Sequence, residues 1–218
     1  MAKLKGILKI EGTLDELTFY KTQDGHLVKT KGGVSAERIA NDPNFQRTRE
    51  NGAEFGSSAS AGKLLRNAVR NLMMNAADSR VTSRLTQIMT QIKNYDTTSA
   101  RGERTVAIGI ADPAALALLK DFDFNDKAAL GGVLFAPFTV TGGTGAINIP
   151  AFVPINDIAY PSGSTHISLK SAYAVVDFTN GTSAIEYSPV TNLPIDGTNT
   201  PVILTPAGVP AGAGTKFY

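Results

Sequence analysis

The chain has 218 residues, a formal net charge of +2 and no cysteine. The missing cysteine excludes disulfides, thiolate nucleophiles and every zinc or iron–sulfur site built from cysteine ligands. The length allows one large domain or two small ones, and a composition of 42% hydrophobic and 18% charged residues is typical of globular proteins.

The N-terminal sequence gives no signal for export or membrane insertion. It reads MAKLKGILKIEG, which contains lysines but lacks the apolar stretch of a secretory signal. No apolar run reaches the length of about 18 residues that a membrane helix needs. We therefore expect synthesis in the cytoplasm and no membrane span. Release in a particle or filament would require lysis, a dedicated exporter or a lost leader.

Residues 1–34 have the pattern of a β-hairpin arm. Residues 4–10 predict a first short strand. The strand-like runs Leu17–Thr22 and 27–30 enclose Asp24-Gly25, a dipeptide typical of hairpin turns. An isolated hairpin is only marginally stable in water. We therefore expect this arm to pack on the helical part, on the β-rich half or on a neighbouring subunit.

Residues 35–96 predict a helical segment. Asp42-Pro43 indicates a helix start, because the carboxylate can accept from the free N–H groups of a first turn and proline has no N–H. Asn51-Gly52 is expected to interrupt this helix. The small residues of 52–62 then form either a close helix contact or a flexible link. The favoured interpretation is a helix followed by a connection.

Two amphipathic helices follow, over 63–75 and 78–95, joined by 76–77 as an antiparallel or bent pair. In each helix, apolar residues recur at three- and four-residue spacing along one face. Asp78 is placed to cap the second helix. The apolar residues are Leu64, Leu65, Ala68, Val69, Leu72 and Met73 in the first helix and Val81, Leu85, Ile88, Met89 and Ile92 in the second.

A polar segment containing glycine, 96–103, marks the predicted boundary to a β-rich domain, 104–218. Residues 105–110 predict a strand, and Asp112-Pro113 predicts a short helix through Leu119. Further strands are expected near 132–141, 146–153, 202–204 and 215–218.

The longest predicted hairpin joins 167–178 to 183–187 through Asn180-Gly181, which favours a two-residue turn. This register places Val176 opposite Ile185 and Ala174 opposite Tyr187.

The last predicted strand stops at Tyr218 without a turn. It is therefore expected to be a sheet edge or an addition to another subunit's sheet. Short strands with frequent turns favour a sandwich or barrel. The sequence as a whole predicts an α+β fold, with an N-terminal β-hairpin and helical segment followed by a mainly antiparallel β-sandwich-like domain.

Motifs for cofactor binding are incomplete. Residues 56–64, GSSASAGKL, fail as a phosphate loop because the glycine spacing is wrong and Leu64 replaces the hydroxyl that binds Mg²⁺. Residues 121–126, DFDFND, begin like a calcium loop, but Asp126 and Gly132 stand where a glycine and a bidentate glutamate are required. The favoured interpretation is a turn, and a cation site of another kind is the alternative.

The two histidines, His26 and His166, form no metal or triad pattern, and no carboxylate pair stands out for acid–base catalysis. We therefore assign no catalytic residue, no cofactor and no metal ligand, and we expect a protein that is not an enzyme. The sequence Asn180-Gly181-Thr182 fits a glycosylation signal, but a hairpin turn explains it.

Charge is distributed unevenly along the chain. Residues 1–96 carry fifteen Lys/Arg against ten Asp/Glu, whereas residues 97–218 carry six against nine. Opposite net charges are compatible with head-to-tail contacts between subunits. The basic residues of the helical segment could form the solvent-exposed face of two amphipathic helices, or they could bind nucleic acid. We favour the first interpretation. These residues are Lys63, Arg66, Arg70, Arg80, Arg84 and Lys93.

The segments IEGTLDELTFYK, DGHLVKTKGGVSAERI and DPNFQRTRENGAEFG resemble the opening of uncharacterised proteins of Bacteroidota. The resemblance covers about the first third of the chain and extends to SAYAVVDFTNG. That family has no activity to carry over to any residue. The resemblance implies further strand sequence after TKFY.

We predict a non-enzymatic structural subunit that assembles with copies of itself into a filament, tube or phage-like particle. The basis is a hairpin that needs a partner, a helix of small residues and an unfinished last strand. One alternative is a nucleic-acid-binding protein that uses the basic helical segment. Another is a ligand-binding β-module that uses loops 141–145 and 161–165. The candidate assembly residues are Phe19, Tyr20, Phe45, Gly52, Phe55, Gly56, Gly62, Phe217 and Tyr218.

Overall fold

The computed structural model describes residues 2–3, 6, 10–30, 33–74, 76 and 78–218. The chain divides into two compact units, residues 1–49 and residues 50–218. We call them the arm unit and the main unit. None of the helices in the described ranges is long and apolar enough to cross a membrane.

The arm unit contains a four-stranded antiparallel sheet in the order β1-β4-β3-β2. The helix α1, Ala36–Asn41, follows it, with the Ser35 hydroxyl accepting from the Arg38 N–H at its N-terminus. The strands are β1 (Ala2–Lys3), β2 (Gly12–Leu14), β3 (Leu17–Thr22) and β4 (Gly25–Thr30).

The hairpin predicted around Asp24-Gly25 is confirmed. Thr22 pairs with Gly25, so the turn has two residues, and Gly25 has the positive φ of 109° that glycine tolerates. The Thr22 hydroxyl accepts from the Asp24 N–H at 3.2 Å. Most of the strand predicted over 4–10 lies outside the described residues.

One continuous helix runs through the segment that was expected to break. Asp42 accepts from the Asn44 N–H and begins a 3₁₀ turn, Pro43–Phe45, as its Asp-Pro signal predicts. The helix α2, Gln46–Ala68, then follows without interruption. The predicted break at Gly52 is therefore wrong, because one glycine weakens a helix by only about 1 kcal/mol and the surrounding contacts exceed that cost.

The helix predicted over 63–75 ends at Ala68, and the short α3, Arg70–Met73, follows after Val69. Residue 75, the last of that predicted helix, and residue 77, in the predicted connection, are not described. The second predicted helix is present as α4, Val81–Ile92, with a 3₁₀ turn, Lys93–Tyr95. Asp78 lies just before it and accepts from the Arg80 N–H.

Residues 105–110 form a helix instead of the predicted strand. Thr105 accepts from the Ile108 N–H, which caps α5, Val106–Gly109. A Cβ on Gly109 would overlap the Ile92 carbonyl, so the glycine lets the end of α4 approach α5 closely. The remaining helices are α6 (Pro113–Ala117), α7 (Leu130–Val133) and α8 (Pro154–Asp157). α6 confirms the Asp112-Pro113 signal, whereas α7 replaces the first part of the strand expected near 132–141.

The β-rich half contains three small antiparallel sheets, in the orders β10-β7, β11-β6-β5 and β12-β8-β9. The strands are β5 (Thr139–Thr141), β6 (Ala146–Phe152), β7 (His166–Leu169), β8 (Ala172–Asp177), β9 (Thr182–Tyr187), β10 (Thr191–Pro194), β11 (Thr200–Leu204) and β12 (Thr215–Phe217). The α+β class with mainly antiparallel sheets is confirmed.

The predicted long hairpin needs two corrections. Its first strand is divided into β7 and β8, which belong to different sheets. The register differs by two residues, because Ala174 pairs with Ile185 and Asp177 pairs with Thr182. The turn therefore spans 178–181. The Asp177 carboxylate accepts from the Thr179 and Asn180 N–H groups and stabilises this wider turn.

Two apolar clusters form the core of the main unit. The first joins the helices to the central strand β8 and contains Leu65, Ala68, Leu85, Met89, Ile92, Val106, Ile110, Ala115, Leu119 and Val176. The second lies in the sheet of β6 and β11 and contains Ala136, Ile149, Phe152, Ile158, Val202 and Leu204. The division of the chain into 1–34, 35–96 and 104–218 stays a prediction.

Candidate assembly surfaces

The pairing register of the arm sheet decides which side chains share a face. Phe19 pairs with Val28 across β3 and β4, and Leu17 pairs with Leu14 across β3 and β2. Directly paired residues of an antiparallel sheet lie on the same face, and so do residues two positions apart on one strand. We call Leu14, Leu17, Phe19 and Val28 the apolar face of the arm.

The opposite face of the same sheet is mixed in character. Tyr20 pairs with Leu27, and Thr18 pairs with Lys29. The Lys29 ammonium lies 5.6 Å from the centroid of the Tyr20 ring. The hydroxyls of Thr13 and Thr18 lie 3.4 Å apart. This face carries hydroxyls and a cation that water can solvate, so Phe19 and Tyr20 belong to two chemically different surfaces.

The apolar face is incompletely covered, because Leu14 and Leu17 are exposed while Phe19 and Val28 are half-buried. Leu14 is 62% exposed and Leu17 is 40% exposed, and no described residue between 10 and 49 is buried. A small sheet gains stability only when its apolar face packs against another surface. Full burial of one such side chain contributes about 1.5–3 kcal/mol, so a covering surface would stabilise this sheet considerably.

Phe45 has a neighbour inside the arm unit. It ends the 3₁₀ turn before α2 and is half-buried. The guanidinium carbon of Arg38 lies 5.8 Å from the centroid of its ring. Arg49, in the first turn of α2, donates to the carbonyl oxygens of Ile39 and Asp42 at 2.7 and 3.0 Å and so links α2 to the segment before it.

The candidates on α2 separate into an exposed and an inward-facing set. Phe55 is 57% exposed, and a Cβ added to Gly52 or Gly56 would meet no atom within 4 Å. A Cβ on Gly62 would instead lie 3.6 Å from the side chains of Leu85 and Met89. Gly62 therefore serves the contact between α2 and α4.

The last two residues are engaged within their own chain. Phe217 pairs with Ala174 as part of β12, and its ring packs edge-on against Phe178 with centroids 6.4 Å apart. The Tyr218 ring lies 4.8 Å from that of Tyr173, and its hydroxyl donates to the Gly142 carbonyl. β12 is thus an edge strand of its own sheet, which is the first of the two alternatives predicted for it.

The two cofactor-like motifs have other structures. Residues 56–64 lie inside α2, so their N–H groups serve the helix and do not form a phosphate-binding loop. In the calcium-like segment, Asp123 accepts from the Leu130 N–H at 2.9 Å and Asn125 accepts from the Lys127 N–H at 3.0 Å. Among the described residues, no group of three or more His, Asp or Glu is placed to hold a metal ion.

The two histidines lie in ordinary polar surroundings. His26 Nδ1 lies 3.9 Å from a carboxylate oxygen of Glu11. His166 Nδ1 lies 3.0 Å from the hydroxyl of Thr165.

A buried ion pair is a feature that sequence analysis missed. Glu54 and Lys93 are 4% and 9% exposed, and their charged groups are in contact. Glu54 also accepts from the Gly102 N–H at 2.8 Å, and Arg104 Nε lies 4.0 Å away. The hydrogen bond from Lys93 outweighs the effect of burial and holds the pKa of Glu54 below its ordinary value.

A second buried carboxylate organises the loop after α4. Asp96 is 1% exposed and accepts from the N–H groups of Ser99 and Thr105 at 2.9 and 3.0 Å. Burial alone would raise the pKa of Asp96, but hydrogen bonds from Ser99, Thr105 and Thr98 hold it well below its ordinary value. The sequence Asp96-Thr-Thr-Ser99 is typical of a turn in which aspartate accepts from following N–H groups, and it could have revealed this role.

Several basic residues of the helical segment are engaged internally. Lys93 pairs with Glu54, and Arg84 pairs with Asp78 at 2.5 Å. Arg66 donates to the Thr82 hydroxyl at 2.8 Å. At least three of the six basic residues named for a nucleic-acid surface therefore have partners within the main unit.

Two open clefts lie on the main unit. The larger, about 540 Å³, lies between α2, α5 and the turn 178–181 and is lined by Lys63, Asn67 and Thr179 among others. The smaller, about 480 Å³, is lined by Arg84, Gln87 and Asp121 among others. Ser60 and Lys63 both line the larger cleft, and the Ser60 hydroxyl donates to the Gly56 carbonyl oxygen at 2.9 Å.

Comparison with protein-family models, with curated proteins and with solved structures gives no match.

Proposed function

We propose that the chain is a non-enzymatic structural subunit that assembles with copies of itself into a filament, tube or phage-like particle. The observation that carries this proposal is the incompletely covered apolar face of the arm. Leu14, Leu17, Phe19 and Val28 share that face, and no described residue of the arm unit is buried. An apolar sheet face of this kind favours contact with another surface.

A second copy of the chain offers surfaces that suit the arm. The main unit exposes large apolar side chains, including Phe135 at 58%, Ile203 at 66% and Val209 at 59%. Net charge is positive in residues 1–96 and negative in residues 97–218. An arm that reached the β-rich half of another copy would therefore meet apolar side chains and opposite net charge.

Sedimentation and electron microscopy of the full-length protein test the proposal. We expect the purified protein to sediment as a species larger than a monomer at micromolar concentration, and to form regular filaments or particles that survive nuclease treatment. Phe19→Asn should shift the protein toward monomers, because it places an amide on the apolar face. Tyr20→Asn is the matched control, because it alters the neighbouring residue on the opposite face.

The outcomes separate the alternatives. Stable monomers of the unmodified protein at high micromolar concentration would contradict the proposal. Assemblies that dissolve with nuclease, and whose formation falls steeply with salt, would favour the nucleic-acid-binding alternative. Equal loss of assembly in both variants, with unchanged circular dichroism, would show that the apolar face is not the contact surface.

A further inference from the structure

The dipeptide Asn-Gly occurs twice, and the two copies have opposite surroundings. Asn51-Gly52 lies inside α2, where the Gly52 N–H belongs to the helical hydrogen-bond ladder. Asn180-Gly181 lies in the exposed turn between β8 and β9. The same two residues are therefore held in a regular helix at one position and in a solvent-exposed turn at the other.

Gly181 is exposed, and no hydrogen bond from its N–H is found among the described residues. The bonds that organise the turn come from the N–H groups of Thr179 and Asn180, both to Asp177. Gly181 has φ of 68°, and a Cβ added to it would meet no atom within 4 Å. Because glycine has no side chain, residue 181 itself does not hinder the approach of its nitrogen to the Asn180 side chain.

We propose that Asn180 is a site of spontaneous deamidation through a succinimide. The Gly181 nitrogen loses its proton to a solvent base and attacks Asn180 Cγ. The bond from Cγ to the side-chain nitrogen breaks, and that nitrogen takes up a proton and leaves as ammonia. One water molecule then opens the ring at either carbonyl, which leaves aspartate or isoaspartate at position 180. Neither step involves oxidation or reduction.

The product changes the charge of the turn. In the unmodified protein, Asn180 Nδ2 donates to the Asp177 carboxylate at 2.7 Å. After deamidation that donor is gone, and two negative charges face each other in one turn. Thr179 and Gly181 line the larger cleft together with Lys63, so the new charge would also alter that cleft.

Peptide mapping of the folded, full-length protein tests this site. The protein is incubated in warm, mildly alkaline buffer made with heavy-oxygen water, so that the label marks deamidation that occurs during the incubation. Isoaspartate in the labelled product identifies the succinimide route. We expect deamidation at Asn180 to be faster than at Asn51, because the helix α2 holds the Gly52 N–H and the backbone around Asn51 in place. Gly181→Ala should slow the reaction, because the added methyl group hinders the attack.

A parallel incubation in strong denaturant supplies the internal control. Unfolding removes the helix around Asn51, so the two rates should become similar there. Equal deamidation rates at Asn180 and Asn51 in the folded protein would overturn the proposal. So would a deamidated Asn180 peptide that carries no heavy oxygen. The Asn180→Asp variant provides the reference mass and retention time for one of the two products.

Discussion

Glu54 on α2 and Lys93 at the end of α4 form an ion pair that is almost completely removed from water. The carboxylate also accepts from the Gly102 N–H, so the pair joins the long helix to the loop that follows α4. Breaking a buried ion pair is destabilising, because the remaining charge is held away from water without the opposite charge that compensates it.

Removing one member of this pair should therefore be costly. We expect Glu54→Gln or Lys93→Met alone to lower the free energy of unfolding by about 3–5 kcal/mol. Glu54→Gln keeps an acceptor for Gly102, so the loss reports on the uncompensated lysine. The double variant should be more stable than either single variant. Urea denaturation measures all four proteins, and strictly additive losses would contradict the coupling.

Acid should destabilise the main unit through its buried carboxylates. The pKa values of Glu54 and Asp96 are lower in the folded protein than their ordinary values of 4.5 and 3.8. A group with a lowered pKa contributes its full stability above the unfolded pKa and loses it as the pH falls toward the folded value. We therefore expect stability to decline below about pH 5.

Asp96→Asn tests the origin of that decline. The variant keeps one of the two oxygen acceptors, so it can retain the bond from the Ser99 N–H or from the Thr105 N–H but not both, and it cannot change its charge. Its stability at neutral pH should be lower, and the slope of stability against pH in acid should be shallower. Thermal unfolding between neutral and acidic pH measures both quantities, and an unchanged slope would exclude Asp96 as a contributor.

Two glycines should respond to alanine in opposite directions. At Gly109 the new methyl group would overlap the Ile92 carbonyl, which belongs to the backbone and cannot rotate away. At Gly52 the methyl group would enter open space on a helix, where alanine is favoured by about 1 kcal/mol. We expect Gly109→Ala to lower the urea midpoint and Gly52→Ala to raise it. A neutral Gly109→Ala would show that α4 and α5 are less closely packed than described.

The C-terminal residues should contribute to the stability of the main unit. Tyr218→Phe removes the hydrogen bond to the Gly142 carbonyl and keeps the ring against Tyr173. We expect a loss of roughly 0.5–1.5 kcal/mol, the usual contribution of one hydrogen bond. Calorimetry of the two proteins measures the difference. A loss below the experimental error would indicate that water replaces the carbonyl without cost.

Local signals in the sequence were sufficient where the backbone itself decides the structure. Asp24-Gly25 predicted the first hairpin, and Asp42-Pro43 and Asp112-Pro113 predicted two helix starts, because these residues act through their own turn. Thr105 carried a signal of the same kind, since it accepts from the Ile108 N–H, but the β-branched residues after it favoured a strand.

The sequence did not predict the register of the turn at 178–181 or the features that depend on distant partners. The wider turn at 178–181 depends on the Asp177 carboxylate, whereas Asn-Gly alone favours a tighter turn with a different register. Lys93 was placed on a wet helix face, because its partner Glu54 lies 39 residues earlier in the chain. Among the assembly candidates, the sequence could not show that Gly62 and Phe217 pack inside their own chain.

The lack of buried residues in the described part of the arm unit also determines how that unit should exchange its amide hydrogens. Opening a sheet that already exposes Leu14 and Leu17 uncovers little new surface, so urea should hardly change the free energy of opening. Its amides should therefore exchange quickly and almost independently of denaturant, while those of β8 exchange only when the main unit unfolds. Slower exchange confined to the arm would then report directly that another molecule covers it.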